Sequence, residues 1–197
     1  MEDLQDNFND FWLSNEEKIY LLKVARQSLE SLFDNRADYG KGETVKSNYS
    51  LPVGVGAFVT LYNSCDLRGC IGRMEANEEL DRLVQKMAVS AALNDHRFSS
   101  VKVDEINDLV IEVSVLTPKV KINSIDEFDL TKHGIYIQKG GLSGTFLPQV
   151  AAETGWDKEE LLGRCARDKV GIGWFGWKEA DLFVYEVIHF SEADFKP

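Results

Sequence analysis

The 197-residue chain is predicted to be an α+β protein, and three features of its pattern carry that expectation. Apolar runs of strand length lie next to each other across short turn sequences, as hairpins require. Helical periodicity comes in separate stretches, without the regular β-α-β alternation of a parallel sheet. From Lys119 to Trp177 the texture shifts to shorter segments with more glycine, and this change near Pro118 points to a second lobe.

Taken in order, Asp3 to Trp12 mixes acids with Phe8, Phe11 and Trp12, and reads as an arm whose aromatic side chains dock on the body. Ser14-Asn15-Glu16-Glu17 is a capping box that opens a helix. Ile19, Leu22, Ala25, Leu29, Leu32 and Phe33 form its apolar stripe, and its end is expected at Asp34 or Asn35. Asp38 to Ser50 is polar and reads as a loop. Val53 to Tyr62 is strand-like, and Asn63-Ser64-Cys65-Asp66 supplies turn chemistry leading into a strand through Leu67-Arg68-Gly69-Cys70-Ile71-Gly72. Asn77 is expected to cap the next helix, with Glu78 and Glu79 in its first turn. Leu80, Leu83, Val84, Met87, Ala88 and Ala91 follow at helical spacing. Leu109 to Leu116 is a strand stopped at Thr117-Pro118, with Leu109, Ile111, Val113 and Val115 on one face and Glu112 and Ser114 on the other. Gly134–Gln138 and Gly144–Val150 read as short strands joined through Lys139-Gly140-Gly141. Asp157 caps a helix running to about Lys169, with Gly171 just past its end. Leu182 to Phe190 reads as one long closing strand.

The composition excludes some functions. A net charge of −11 repels phosphate backbones and anionic membranes, so neither nucleic acid nor membrane is an expected partner. No apolar run approaches the roughly 18 residues that span a bilayer. Met1 to Asp10 has neither the basic nor the apolar region of a signal peptide, which makes the cytoplasm the expected compartment. An odd count of three cysteines, Cys65, Cys70 and Cys165, argues for free thiols.

The chemistry centres on the hexapeptide Leu67 to Gly72. Strand alternation sets Arg68, Cys70 and Gly72 on one face and Leu67, Gly69 and Ile71 on the other. The guanidinium and the thiol share a surface, their Cβ atoms about 7 Å apart, close enough for Arg68 to favour a Cys70 thiolate. A nucleophilic role would need a base; none adjoins in sequence, and His133 is the histidine that folding could bring near. The other reading is a small residue lining a binding surface, or packing beneath it. Glu112, an acid in an apolar strand, needs a partner, and Arg68 is expected to be that partner. Gly69 and Gly72 are expected to leave the strand backbone approachable, so that Gly69→Val should spare stability and abolish binding. Gly171-Ile172-Gly173-Trp174-Phe175-Gly176 spells a dinucleotide fingerprint, but a helix precedes it where a strand is needed. It is expected to be a loop that places Trp174 and Trp177 as packing aromatics. Gly140-Gly141-Leu142-Ser143-Gly144 breaks the spacing of a nucleophile elbow and reads as a hairpin turn. With His96, His133 and His189 scattered and no C-x-x-C pair, no metal site and no cofactor are predicted.

The hexapeptide resembles the hallmark of the AMMECR family. The likeness continues through Asp95-His96-Arg97-Phe98, Ile111 to Pro118, His133-Gly134, Phe146-Leu147-Pro148-Gln149-Val150 and Gly155-Trp156-Asp157. The resemblance implies one AMMECR-type domain over 1–197, built of two unequal lobes, each an antiparallel sheet with flanking helices. The larger lobe would hold both termini and the smaller would lie within 118–178. A cleft between them would be lined by Leu67, Arg68, Gly69, Cys70, Ile71 and Gly72, with Glu112 alongside. Microbial members carry the name AmmeMemoRadiSam system protein A, which implies a Memo-like protein and a radical S-adenosylmethionine enzyme as partners. This chain lacks the cysteine cluster of an iron–sulfur enzyme, so radical chemistry would belong to the partner. The expected function is that of an accessory or regulatory protein binding a partner or bulky substrate; the alternative is a transfer or hydrolysis enzyme with Cys70 as nucleophile and His133 as base.

Overall fold

Ser14 and Glu17 close the predicted capping box, the Ser14 amide donating to Glu17 Oε2 at 2.8 Å and the Glu17 amide to Ser14 Oγ at 3.2 Å. They start helix α1 (Asn15–Ser31), which buries Leu21, Leu22, Ala25 and Leu29. The computed structural model describes residues 12–33 and 49–195. The aromatic arm before Trp12 and the loop from 38 to 48 lie outside the described residues, and the first helix ends at Ser31 with Leu32 as its C-cap, earlier than the expected Asp34 or Asn35. Strands β1 (Gly56–Asn63) and β2 (Asp66–Arg73) form a hairpin. Its turn residues Ser64 and Cys65 both have positive φ, 50° and 74°, the conformation that matches a two-residue turn to the twist of its strands. Helix α2 (Leu80–Leu93) buries its whole predicted stripe. It starts later than the sequence suggests: Glu79, not Asn77, is the N-cap, and no side chain caps it. Strand β3 (Leu109–Leu116) pairs antiparallel with β1. Ala57, Val59, Leu61, Ile111, Val113 and Val115 are buried on the shared face against α1 and α2.

After β3 come β4 (Val120–Ile122), β5 (Gly134–Lys139) and β6 (Leu142–Phe146). The predicted strand 144–150 ends early because Pro148 opens helix α3 (Pro148–Thr154), where its missing N–H costs nothing. Asp157 caps α4 (Lys158–Arg164), its Oδ1 accepting from the Glu160 amide at 2.8 Å. The helix widens into a π turn over Cys165–Val170 and stops at Gly171, φ 80°. The glycine-rich run that follows is a loop, as expected. Trp174 fills the space over Gly163, and Trp177 is buried. Strand β7 (Asp181–Tyr185) completes an antiparallel sheet of order β4-β7-β5-β6. Phe128, Ile135, Ile137, Leu162 and Val184 are buried in the core beside it.

The closing strand is not one strand. It breaks at Glu186 into β7 and β8 (Val187–Ser191), and β8 joins the first sheet, whose order is β2-β1-β3-β8. The break has a visible cause. The Thr117 amide donates to the Glu186 carbonyl at 3.0 Å, and the Glu186 amide donates to Thr117 Oγ1 at 2.8 Å. Among the described residues the larger unit comprises 13–33, 49–116 and 188–195, and the smaller comprises Trp12 with 117–187.

Candidate functional site

The hexapeptide lies in β2, an edge strand of the larger unit's sheet. Register shifts at its start: Leu61 faces Gly69 while Tyr62 faces Leu67, which leaves Arg68 as the extra residue of a bulge. Each nitrogen of the guanidinium has a partner. Nε and Nη2 bond the two carboxylate oxygens of Glu105 at 2.7 and 3.0 Å, and Nη1 donates to the Ser99 carbonyl at 2.8 Å. Glu105 sits in a short 3-10 turn, Val103–Asp108, which it also caps by accepting from the Lys102 amide. Its pairing with Arg68 holds its carboxyl below the ordinary range. The expected Arg68–Glu112 pair therefore does not form, because a nearer acid satisfies the fork.

The glycines serve packing. A Cβ on Gly69 would lie 2.2 Å from the Ala91 carbonyl oxygen, so α2 rests directly on this strand. A Cβ on Gly72 would lie 2.2 Å from the Phe58 ring, which already fills that space. Neither glycine offers an approachable backbone, contrary to expectation. The outward edge at Cys70 is closed as well. Its amide donates to Asp95 Oδ2 at 2.9 Å, and Arg97 Nη2 donates to its carbonyl at 3.4 Å. Asp95 accepts three further bonds from Arg97, from Nε at 2.9 Å, Nη2 at 2.7 Å and the backbone amide at 3.2 Å. Asp95 is buried, and hydrogen bonding to Arg97 holds its carboxyl well below the usual carboxylate range. The Asp95-His96-Arg97-Phe98 motif is thus a latch on the hexapeptide.

On the sheet face away from the helices Thr60 and Ser114 are buried, Cys70 and Glu112 are half-buried and His189 is exposed. Thr60 is in register with Cys70 on one side and Glu112 on the other. The Thr60 hydroxyl donates to Cys70 Sγ at 3.3 Å. Glu112 Oε2 lies 3.5 Å from His189 Nε2, and His189 Nδ1 lies 3.5 Å from Ser114 Oγ. Burial raises the Glu112 carboxyl above its ordinary value, with His189 opposing. Cys70, Thr60, Glu112 and His189 form one polar row across β2-β1-β3-β8. Such a row presents a carboxylate, an imidazole and a soft thiol on one face.

Of the other predicted site residues, Leu67 is exposed and Ile71 half-buried. His133 belongs to the smaller unit, where its Nδ1 accepts from the Asp129 amide at 3.2 Å and Nε2 lies 3.9 Å from Glu186 Oε1. Cys70 and His133 are thus residues of different units. Cys165 is buried, which pushes its thiol up to about 12. Sequence reasoning missed Glu105 and gave His189 no role. It quoted Asp95 and Arg97 without a function, although their place in a shared motif was the available signal. A sequence model of the AMMECR1 family matches residues 22–190.

The chain belongs to the AMMECR1 family. It is 32% identical over 192 residues to Protein MK0488 of Methanopyrus kandleri, covering 92% of this chain and 91% of that one. To Protein Mbar_A1807 of Methanosarcina barkeri it is 39% identical over 145 residues, 71% of each chain. The crystal structure of the uncharacterized protein PH0010 from Pyrococcus horikoshii is similar with a TM-score of 0.78 and 30% identity, over 92% of this chain and 94% of that one. The α+β fold is therefore shared with PH0010.

Proposed function

We propose that this AMMECR1-family chain is a cytoplasmic accessory or regulatory protein that binds a partner protein or bulky substrate on the sheet face carrying Cys70, Thr60, Glu112 and His189. The supporting observation is the row itself: Cys70, Thr60 and Glu112 in register, with His189 only loosely joined to Glu112 at 3.5 Å. The hexapeptide contributes Cys70 to this face, while Arg68, Gly69 and Gly72 fix the strand that carries it. The family association makes a Memo-like protein and a radical S-adenosylmethionine enzyme the proposed partners. Binding fits better than thiol catalysis, because Arg68 is committed to Glu105 and the side-chain partner of the sulfur is a hydroxyl rather than a base.

The test is affinity capture from native cells, run with three variants. Glu112→Gln and His189→Ala are expected to weaken capture by about tenfold, a charged hydrogen bond's share of affinity. Cys70→Ser is expected to leave most of it. If Cys70→Ser alone removes function and Cys70 is selectively alkylated near neutral pH, the protein is a cysteine enzyme and the binding proposal fails.

A further inference from the structure

The smaller unit has a pocket of about 730 Å³ of its own, within the roughly 300–1,000 Å³ range of small-molecule sites. Its walls are mostly apolar, with Leu130, Ala151 and Trp156 among them, and it carries Lys132, Gln149 and Glu186. The two charges are of opposite sign and neither is neutralised. Among the described residues Lys132 has no carboxylate within salt-bridge distance, and the one basic group within that distance of the Glu186 carboxylate is His133 Nε2 at 3.9 Å. Burial lowers the His133 pKa, so the imidazole is neutral near pH 7 and leaves the Glu186 charge uncompensated.

The parts are also held in place before any ligand arrives. Lys132 sits on a turn closed by Asp129: the Thr131 amide and hydroxyl donate to Asp129 Oδ1 at 2.8 and 2.7 Å, and the His133 amide donates to the Asp129 carbonyl at 2.8 Å. Glu186 has its amide and carbonyl both fixed by Thr117. Trp156 is braced by the Arg164 guanidinium, 4.3 Å from its ring centroid, and by the Phe146 ring at 6.1 Å. A preorganised pocket loses little to ordering when it binds.

We infer that this pocket binds a small zwitterion with an apolar body, of the class of apolar amino acids and their short peptides. The ligand's carboxylate meets Lys132, its ammonium meets Glu186, and its apolar body lies against Trp156. The site lies within the smaller unit and is independent of the surface proposed above for partner binding.

Calorimetric titration of the full chain with phenylalanine, Leu-Phe and Leu-Leu-Phe tests this, each probe also used in N-acetylated and C-amidated form. At least one free probe is expected to bind, and blocking either end is expected to weaken it by about tenfold or more. Glu186→Gln should make the free and acetylated probes equal, whereas Lys132→Met should make the free and amidated probes equal. Lys132 is exposed, so its variant folds and carries the test should Glu186→Gln lower the melting temperature. Absence of binding by every free probe at millimolar concentration overturns the inference. Indifference to blocking, or discrimination that survives both variants, overturns it equally.

Discussion

An arginine in an edge strand can grip a ligand or brace the fold, and at Arg68 the bonding decides for the brace. Lysine keeps the charge but cannot span both Glu105 oxygens and the Ser99 carbonyl at once. Arg68→Lys is therefore expected to lower stability by about 1–3 kcal/mol, read as a lower urea midpoint at unchanged slope. Gly69→Val should be worse, because the backbone of α2 rather than a flexible side chain occupies the space. A loss above about 3 kcal/mol, or failure to fold, is expected in the same assay. The residues that matter here were legible in the sequence, but their roles were not. A polar residue in an apolar strand announces that it needs a partner. Which partner it finds depends on register: β3 sets Glu112 opposite Thr60, with β1 between it and β2. Glu105 lies in a 3-10 turn with no periodic signature, so nothing in the pattern marked it.

Among elements, the latch between β2 and the end of α2 is the feature most open to measurement. An edge strand offers unpaired amides and carbonyls to any other strand, and here Asp95 and Arg97 occupy those of Cys70. Asp95→Asn is expected to destabilise the protein by about 1.5–3 kcal/mol at neutral pH. The sign of its pH dependence follows from the depressed Asp95 pKa. The stabilisation is complete above the ordinary aspartate value of 3.8 and is lost as pH falls below it. The gap between parent and variant in urea denaturation should therefore be constant above about pH 4 and begin to narrow only below it. Most elements were legible because the amphipathic stripes of α1 and α2 and the caps of α1 and α4 are local signals. The boundary between β7 and β8 was not, since Leu182 to Phe190 is continuously strand-forming and only the tertiary bonds of Thr117 interrupt it.

For the whole molecule, charge makes the clearest forecast. With 33 acids against 22 bases the chain should show no salt-sensitive binding of DNA or RNA at micromolar protein. A gel shift that falls away steeply with added salt would contradict it. Among the described residues no helix is long and apolar enough to cross a membrane. The family was legible in short motifs, and the structure supplies the physical reason for two of them, since the hexapeptide and Asp95-His96-Arg97-Phe98 bond each other.

The paired bonds between Thr117 and Glu186 have a consequence for how the chain folds. From the larger unit's side, residues 117–187 stand where a turn would join β3 to β8, two neighbouring strands far apart in sequence. The entropic cost of closing a loop grows with the length of free chain, and a folded insert with tied ends shortens that length to a few residues. Once 117–187 has folded, β8 meets β3 almost as the second arm of a hairpin. Addition of β8 is then a late and fast step, one that waits on the smaller unit rather than on a search by the whole chain.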